Sequence, residues 1–456
     1  MKTANRRDFL RAAAVLAAPL VLPASVFGRN APSNRINVGI IGCGNQRTLD
    51  LPAFLGHDDV QVMAVCDVNT ASYGYKDKKQ FLGRKPGQEK VNAYYASKAP
   101  SGQYKGCDAY NDFREVLQRP DIDAVAVIVP DHWHAVISVM AAKAGKDVYC
   151  EKPLALTVEQ GQQMIKATRQ HKRILQVGSH LRASPLVRHA CELVRNGRIG
   201  QVKRVVAYLP PNNAIDPGPG WKPMPVPEGF DYEMWLGPAP TAPYHLDRCL
   251  YRFRFIFDYS GGQVTNFGAH DFNIVQWALG TDDTGPVEFE DCGAEWPPKG
   301  SLFNTATRAH FRARYASGVE LECETREPGS GCRFEGTEGW LQVTGQALTT
   351  EPASIKDAPI GPNEIHLAQS NPQRKENTPA LFIPDHVRNF LDSVKSRQDP
   401  VEPVEVGHRM TNICHLGNIA MLLKRKIKFD PKLEQILGDS EAAKMLSRPL
   451  RGTWRY

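Results

Sequence analysis

Ile36-Asn37-Val38-Gly39-Ile40-Ile41-Gly42-Cys43-Gly44-Asn45-Gln46-Arg47 is the stretch on which the reading of the fold turns. A short apolar run ends in two glycines one residue apart, the pattern of a buried strand entering a tight turn. Gly42 and Gly44 let the backbone approach a pyrophosphate at the start of the next helix, where unpaired N–H groups favour an anion. Asn45 and Gln46 continue the turn as candidate contacts. The third glycine of the G-x-G-x-x-G pattern is missing, because Arg47 stands there. Asp67 closes the next apolar run, 23 residues beyond Gly44. A carboxylate at that point accepts hydrogen bonds from ribose hydroxyls and repels a 2′-phosphate, which favours NAD over NADP.

Outward from this turn, apolar runs at Val60 to Cys66, Ile122 to Val129 and Asp147 to Cys150 alternate with helical patterns. Ala135 to Lys143 reads as a helix capped by Gly145. Short buried strands between helices imply a parallel sheet covered on both faces, and a first domain at 34–155. A second domain at 156–430 opens with a capping box, Thr157-x-x-Gln160. It continues through a strand at Ile174 to Gly178, a helix after Ser184-Pro185 and a strand at Val202 to Leu209. Residues 210–260 are rich in proline, glycine and aromatics and form a structured excursion, since linkers lack aromatics. Strand-like segments from Val287 to Val343 suggest a large, mostly antiparallel sheet. Polar loops at 345–380, helices near Asp385–Ser396 and Gly407–Lys424, and an irregular basic tail at 431–456 complete the chain. The class is α/β followed by α+β.

The 456 residues are 42% hydrophobic and 23% charged, ordinary for a globular chain. Asn5-Arg6-Arg7-Asp8-Phe9-Leu10, followed by the uncharged stretch from Ala12 to Val26, reads as a twin-arginine export signal over residues 1–28. Export through the twin-arginine machinery and a periplasmic or otherwise external location follow as expectations. With no cysteine near the end of the apolar segment, no stable membrane anchor is expected. Residues 1–28 supply +3 of the formal +7 charge. The remainder is mild and unclustered, which excludes nucleic acid as a partner. The 10 cysteines show no C-x-x-C pair or metal-finger spacing.

Two further elements carry chemistry: Pro130-Asp131-His132-Trp133-His134, and Ala144-Gly145-Lys146-Asp147-Val148-Tyr149-Cys150-Glu151-Lys152-Pro153. In this order and spacing the chain resembles the glucose–fructose oxidoreductase / inositol dehydrogenase / MocA (Gfo/Idh/MocA) family, from about residue 35 to about 430. The resemblance implies a Rossmann dinucleotide-binding domain and a homo-oligomer. It also implies a carbohydrate or cyclitol substrate oxidised by hydride transfer. It places Pro130 and His134 along the dinucleotide, Glu151 at the cofactor side of the cleft and Lys152 toward the substrate hydroxyl. Removing hydride from a carbinol carbon also requires the hydroxyl proton to leave, and a desolvated lysine serves that end. No carboxylate or cysteine completes a metal set with His132 and His134, so no metal is expected.

Gly261-Gly262-x-x-x-Asn266-x-Gly268-x-His270 resembles the family element in which an Asp and a His four residues apart face the nicotinamide. His270 matches the His as proton acceptor. Asn266 replaces the Asp, and an amide orients a partner but does not accept a proton as a carboxylate does. Asp271 is a candidate substitute. His180 and Arg182, with Trp221, Tyr244, Arg248, Tyr251 and Arg254 of the excursion, are candidate substrate contacts. Export together with NAD use suggests a tightly held cofactor and redox-neutral turnover. A plain dehydrogenase with exchangeable cofactor and a carbohydrate-binding protein remain the alternatives.

Overall fold

The computed structural model describes residues 34–212, 215–327, 329–374 and 382–456, so the export signal expected at 1–28 lies outside the described residues. The first sheet has six parallel strands in the order β3-β2-β1-β4-β5-β6. They are β1 (Ile36–Ile41), β2 (Val60–Cys66), β3 (Asp108–Tyr110), β4 (Ala124–Val127), β5 (Asp147–Cys150) and β6 (Leu175–Val177). Between them run α1 (Arg47–Leu55), α2 (Arg84–Lys98), α3 (Phe113–Gln118), α4 (Asp131–Lys143) and α5 (Val158–Gln170). Every residue of β4 and β5 is buried, as a parallel strand covered on both faces requires. Thr157 caps α5 by accepting from the Gln160 amide, half of the capping box read in the sequence. Strand order reverses beside β1, which opens a crevice above the carboxyl ends of β1 and β4.

A domain boundary at 155 cuts this sheet. The apolar run at 174–178 forms β6, which pairs with β5 (Val148 opposite Leu175) and belongs to the first sheet. A short apolar run looks alike in either domain, and only its partner decides. The edge strand β3 is half exposed and carries no apolar signal, so the sequence hides it.

The second sheet runs β13-β12-β11-β7-β10-β9-β8-β14-β15. It is antiparallel except where β7 (Val202–Leu209) pairs with β10 (Glu320–Thr325) in parallel. The other strands are β8 (Glu288–Asp291), β9 (His310–Arg314), β11 (Gly331–Gly336), β12 (Trp340–Val343), β13 (Leu348–Glu351), β14 (Ile427–Asp430) and β15 (Gln435–Leu437). The remaining helices are α6 (Pro185–Arg195), α7 (Tyr232–Leu236), α8 (Gln263–Asn266), α9 (Gly268–Leu279), α10 (Phe382–Ser396), α11 (Val404–Leu423) and α12 (Ser440–Lys444), of which α10 packs on the first sheet through Val387, Phe390 and Leu391. No described helix is long and apolar enough to cross a membrane.

α11 locks the two sheets together. A Cβ at Gly407 would lie 2.4 Å from Val177 of β6, and one at Gly417 2.5 Å from the Phe311 ring of β9. Only a bare backbone fits at both contacts. The excursion at 210–260 folds over the first domain around Phe230, Trp235, Tyr244, Phe253 and Tyr259. Backbone bonds from Thr70 N to Gly229 O (2.8 Å) and from Asp231 N to Val68 O (3.0 Å) tie it to the end of β2. The tail at 431–456 is not irregular throughout: it supplies β15 and α12, then returns to the first domain. There Trp454 meets Trp133 edge-on at 4.7 Å and stacks on Phe113 at 6.2 Å. Its polar composition conceals this because two aromatic residues carry the contact. All ten cysteines are unpaired, and nine of them are buried.

Candidate dinucleotide and substrate site

The crevice holds a cavity of about 290 Å³, walled by the β1–α1 turn, the ends of β4 and β5, and the excursion. Gly42 has φ +103°, and a Cβ there would sit 2.0 Å from the Ile128 carbonyl oxygen. Only glycine lets β1 turn this closely beside β4. Gly44, Asn45 and Gln46 follow along the same wall. Arg47, in place of the third glycine, is the first residue of α1 and is buried. Asp67 also lines the cavity, one oxygen accepting from Cys43 N (2.6 Å) and the other from Asn69 N (2.8 Å). Burial pushes its carboxyl up, while those amides and Arg84 oppose the shift. Each oxygen keeps a lone pair for a further donor, so glycine turn, helix start and carboxylate together fit a dinucleotide.

Pro130 lines the cavity, and His134, expected beside it, does not. Its Nδ1 lies 2.7 Å from Pro153 O and its Nε2 2.9 Å from Val129 O. Two carbonyls require a donor on each ring nitrogen, and only the imidazolium has both. Burial opposes that charge, but Cys150, Asp131 and the Pro153 carbonyl outweigh it and lift the pKa to about 10. His134 therefore clamps the end of β4 to the segment after Lys152. His132 turns elsewhere, with Nε2 2.9 Å from Trp235 O.

At the far end, Lys152 Nζ donates to the backbone oxygen (2.8 Å) and the side-chain oxygen (3.2 Å) of Asn266. Asn266 Nδ2 in turn donates to Gln263 Oε1 at 3.0 Å, which fixes its oxygen toward the ammonium. Burial pushes the Lys152 pKa below the ordinary lysine range; Glu151 works against that and Arg254 adds to it. His270 lies one helical turn beyond Asn266, and its Nδ1 is buried without a partner. Burial, reinforced by Lys152, holds its pKa well below the usual value, so the ring is neutral at pH 7. Lysine and amide are bonded on the cavity wall, while the neutral imidazole lies off that wall and feels Lys152 only electrostatically.

The other expected contacts divide. Glu151 and Tyr251 line the cavity. His180 stands beneath its floor, Nε2 2.9 Å from Tyr149 Oη and 3.2 Å from Glu151 Oε1, with Asp50 beyond. Trp221 packs on His245 at 5.7 Å and under Arg248 at 5.2 Å, off the cavity wall. Arg182 is turned into the protein, paired with Asp282 at 2.7 Å and bonded to Asn273 Oδ1 at 2.6 Å. Asp271 is fully buried and accepts from Gly331 N at 3.1 Å, facing β11. As His270's sequence neighbour on a helix it points the other way, so it does not stand in for the missing aspartate.

Sequence reasoning missed Asp131 and Ser260, which line the cavity near Lys152. Ser260 Oγ donates to Asp131 Oδ2 across the domain junction. The signal for Asp131 was present in the same Pro130–His134 element, immediately after β4. Ser260 had none beyond its place before Gly261.

Residues 36–179 match the family model described as "Oxidoreductase family, NAD-binding Rossmann fold". Residues 219–342 and 368–456 match "Oxidoreductase family, C-terminal alpha/beta domain". Among curated relatives, the levoglucosan dehydrogenase of Pseudarthrobacter phenanthrenivorans is 37% identical over 92 residues, covering 20% of this chain and 24% of the relative. The alpha-N-acetylgalactosaminidase of Shewanella oneidensis is 27% identical over 222 residues, 44% of this chain and 45% of that one. The chain thus spans less than half the length of each. A crystal structure of aldose-aldose oxidoreductase from Caulobacter crescentus complexed with glycerol superposes with a TM-score of 0.59 at 20% identity, covering 87% of this chain and 100% of that one. That likeness is one of fold.

Proposed function

Since the chain belongs to the Gfo/Idh/MocA oxidoreductase family and its first domain binds NAD, we propose that it oxidises and re-reduces a sugar or glycoside hydroxyl with a cofactor it does not release. The observation that carries this reading is the Lys152–Asn266 pair on the cavity wall, with His270 one turn behind it. Bound NAD supplies the hydride acceptor. The protein's own residues supply the rest. Asn266 holds the Lys152 ammonium toward the cavity. Burial lowers the cost of taking a proton off that ammonium, so Lys152 can pass a proton to or from a substrate hydroxyl. His270 offers a neutral nitrogen as the second proton site.

Two features support a captive cofactor. The excursion walls the cavity with Phe230, Met234, Trp235 and Leu250, and its backbone is bonded to the end of β2. The redox-neutral part is supported by a relative named as a glycosidase, the alpha-N-acetylgalactosaminidase of Shewanella oneidensis. Export by the twin-arginine route, proposed from residues 1–28, gives such an enzyme a reason to carry NAD with it.

Mass spectrometry of nucleotide released on denaturing the purified protein tests this directly. Near-stoichiometric NAD or NADH is the expected result. Protein that is empty but binds added NAD is instead an ordinary dehydrogenase, and protein that binds none loses the enzymatic reading.

A further inference from the structure

Arg254 lines the cavity at the Lys152 end, yet its guanidinium makes no ion pair or hydrogen bond among the described residues. Its Nη1 is buried without a partner. What holds the group is stacking, 3.8 Å over the Tyr251 ring and 5.3 Å from the Phe253 ring. Its backbone is fixed as well, the carbonyl accepting from Gly262 N at 2.8 Å. Its neighbours are served. Arg248 donates to Pro243 O at 3.0 Å, and Arg252 pairs with Asp247 at 3.2 Å. A buried polar N–H without a partner is costly and a charged one more so, and a positioned, unserved guanidinium therefore marks a ligand group.

Among the other ions on the wall, Asp67 has two amides, Asp131 has Ser260 and Lys152 has Asn266, while Glu151 lies 3.2 Å from His180 with its Oε1 accepting no hydrogen bond. Arg254 is the cation on the wall whose guanidinium makes no hydrogen bond among the described residues. Arg254 therefore faces the space where the substrate's reacting carbon must lie, together with a second cation. A planar fork of N–H groups over an aromatic ring matches a carboxylate, which it can hold by two parallel bonds.

Building on the proposed carbohydrate activity, we propose that Arg254 is a carboxylate-binding point and that the substrate is an acidic sugar of the hexuronate class, its carboxylate close to the hydroxyl served by Lys152. An anionic oxygen could also come from the cofactor's phosphates. The electrostatic neighbours of Arg254 are Asp131 and Lys152, however, not the glycine turn.

The test is calorimetric titration of the NADH-loaded enzyme with matched hexuronate and hexose pairs of gluco, galacto and manno configuration, as free sugars and methyl glycosides. At least one hexuronate is expected to bind tenfold or more tightly than its neutral partner. Arg254→Met should erase that preference with NADH affinity unchanged, and Arg254→Lys should keep part of it. Equal binding of acid and neutral sugar, or a loss in Arg254→Met shared by both, overturns the carboxylate assignment while leaving the carbohydrate reading in place. A fall in NADH affinity in Arg254→Met assigns the guanidinium to the cofactor and likewise overturns it. Binding of neither class removes the carbohydrate reading along with this one.

Discussion

Arg182 and Arg254 make an instructive pair. Both are cations drawn into the protein, and both are candidate substrate contacts by sequence. Arg182 spends its fork on Asp282, Asn273 and the Val401 carbonyl, all fixed partners. Arg254, with Lys152 nearby, has only aromatic rings and open space. The first arrangement is finished without a ligand, the second is not. Burial alone does not separate a structural ion from a functional one; the number of unserved donors does.

Lys152→Ala gives the largest effect that sharpens this contrast. Exchange of a carbinol deuterium between substrate and bound cofactor, followed by mass spectrometry, should fall about 10³-fold, in the range of lost acid–base catalysis. The melting temperature should hold, because no fixed carboxylate loses a partner. Retained exchange would put the chemistry elsewhere.

Arg182→Met should do the reverse. Removing the buried cation leaves Asn273 and the part-exposed Asp282 unserved and costs about 1–3 kcal/mol in denaturant unfolding. A variant as stable as the parent but unable to bind sugar would break the comparison. Asp67→Ala is next: NAD affinity should drop about tenfold by calorimetry, the size of about one lost hydrogen-bonded contact, and NADP should be discriminated against less. Trp454→Ala, at a contact half open to solvent, should cost about 1–2 kcal/mol by lost packing on Trp133 and Phe113.

The smallest effect tests the finished site through pH. Burial lifts the Glu402 carboxyl to about 8, with Arg182, Ser179 and Asn273 opposing. A folded acid whose pKa stands above its unfolded value holds more protons than the unfolded chain. Its contribution to stability is therefore greatest near and below pH 4.5 and is lost as pH rises toward 8. Glu402→Gln mimics the protonated form, so unfolding midpoints across pH 5–8 should flatten while stability at pH 5 changes by about 1 kcal/mol or less. A variant with the parent's slope would remove Glu402 as the source.

Much of the first domain was legible because its signals are local. β1, β2, β4 and β5 are continuous apolar runs, and Gly42 and Asp67 sit where strand ends demand them. Lys152, Asn266 and Tyr251 came through on short motifs or composition and do meet at the cavity, with His270 beside Lys152. Arg182 and Asp271 did not, since their direction depends on partners 60 or more positions away, Asp282 and Gly331; Trp221 turns instead to His245 and Arg248 of its own excursion. β3 carries no apolar signal, and β6, read as a strand, was assigned to the second domain because sheet membership is a property of pairs. The tail was obscured because Trp454 contacts residues over 300 positions earlier.

That last contact makes the cavity wall a joint product of parts of the chain far apart in sequence. Trp133 and Phe113 form part of the cavity wall, and Trp454 packs against both. A side chain that is not on the wall thereby sets how stiffly two wall residues are held. Loosening it retunes the seat without altering any group that touches the occupant.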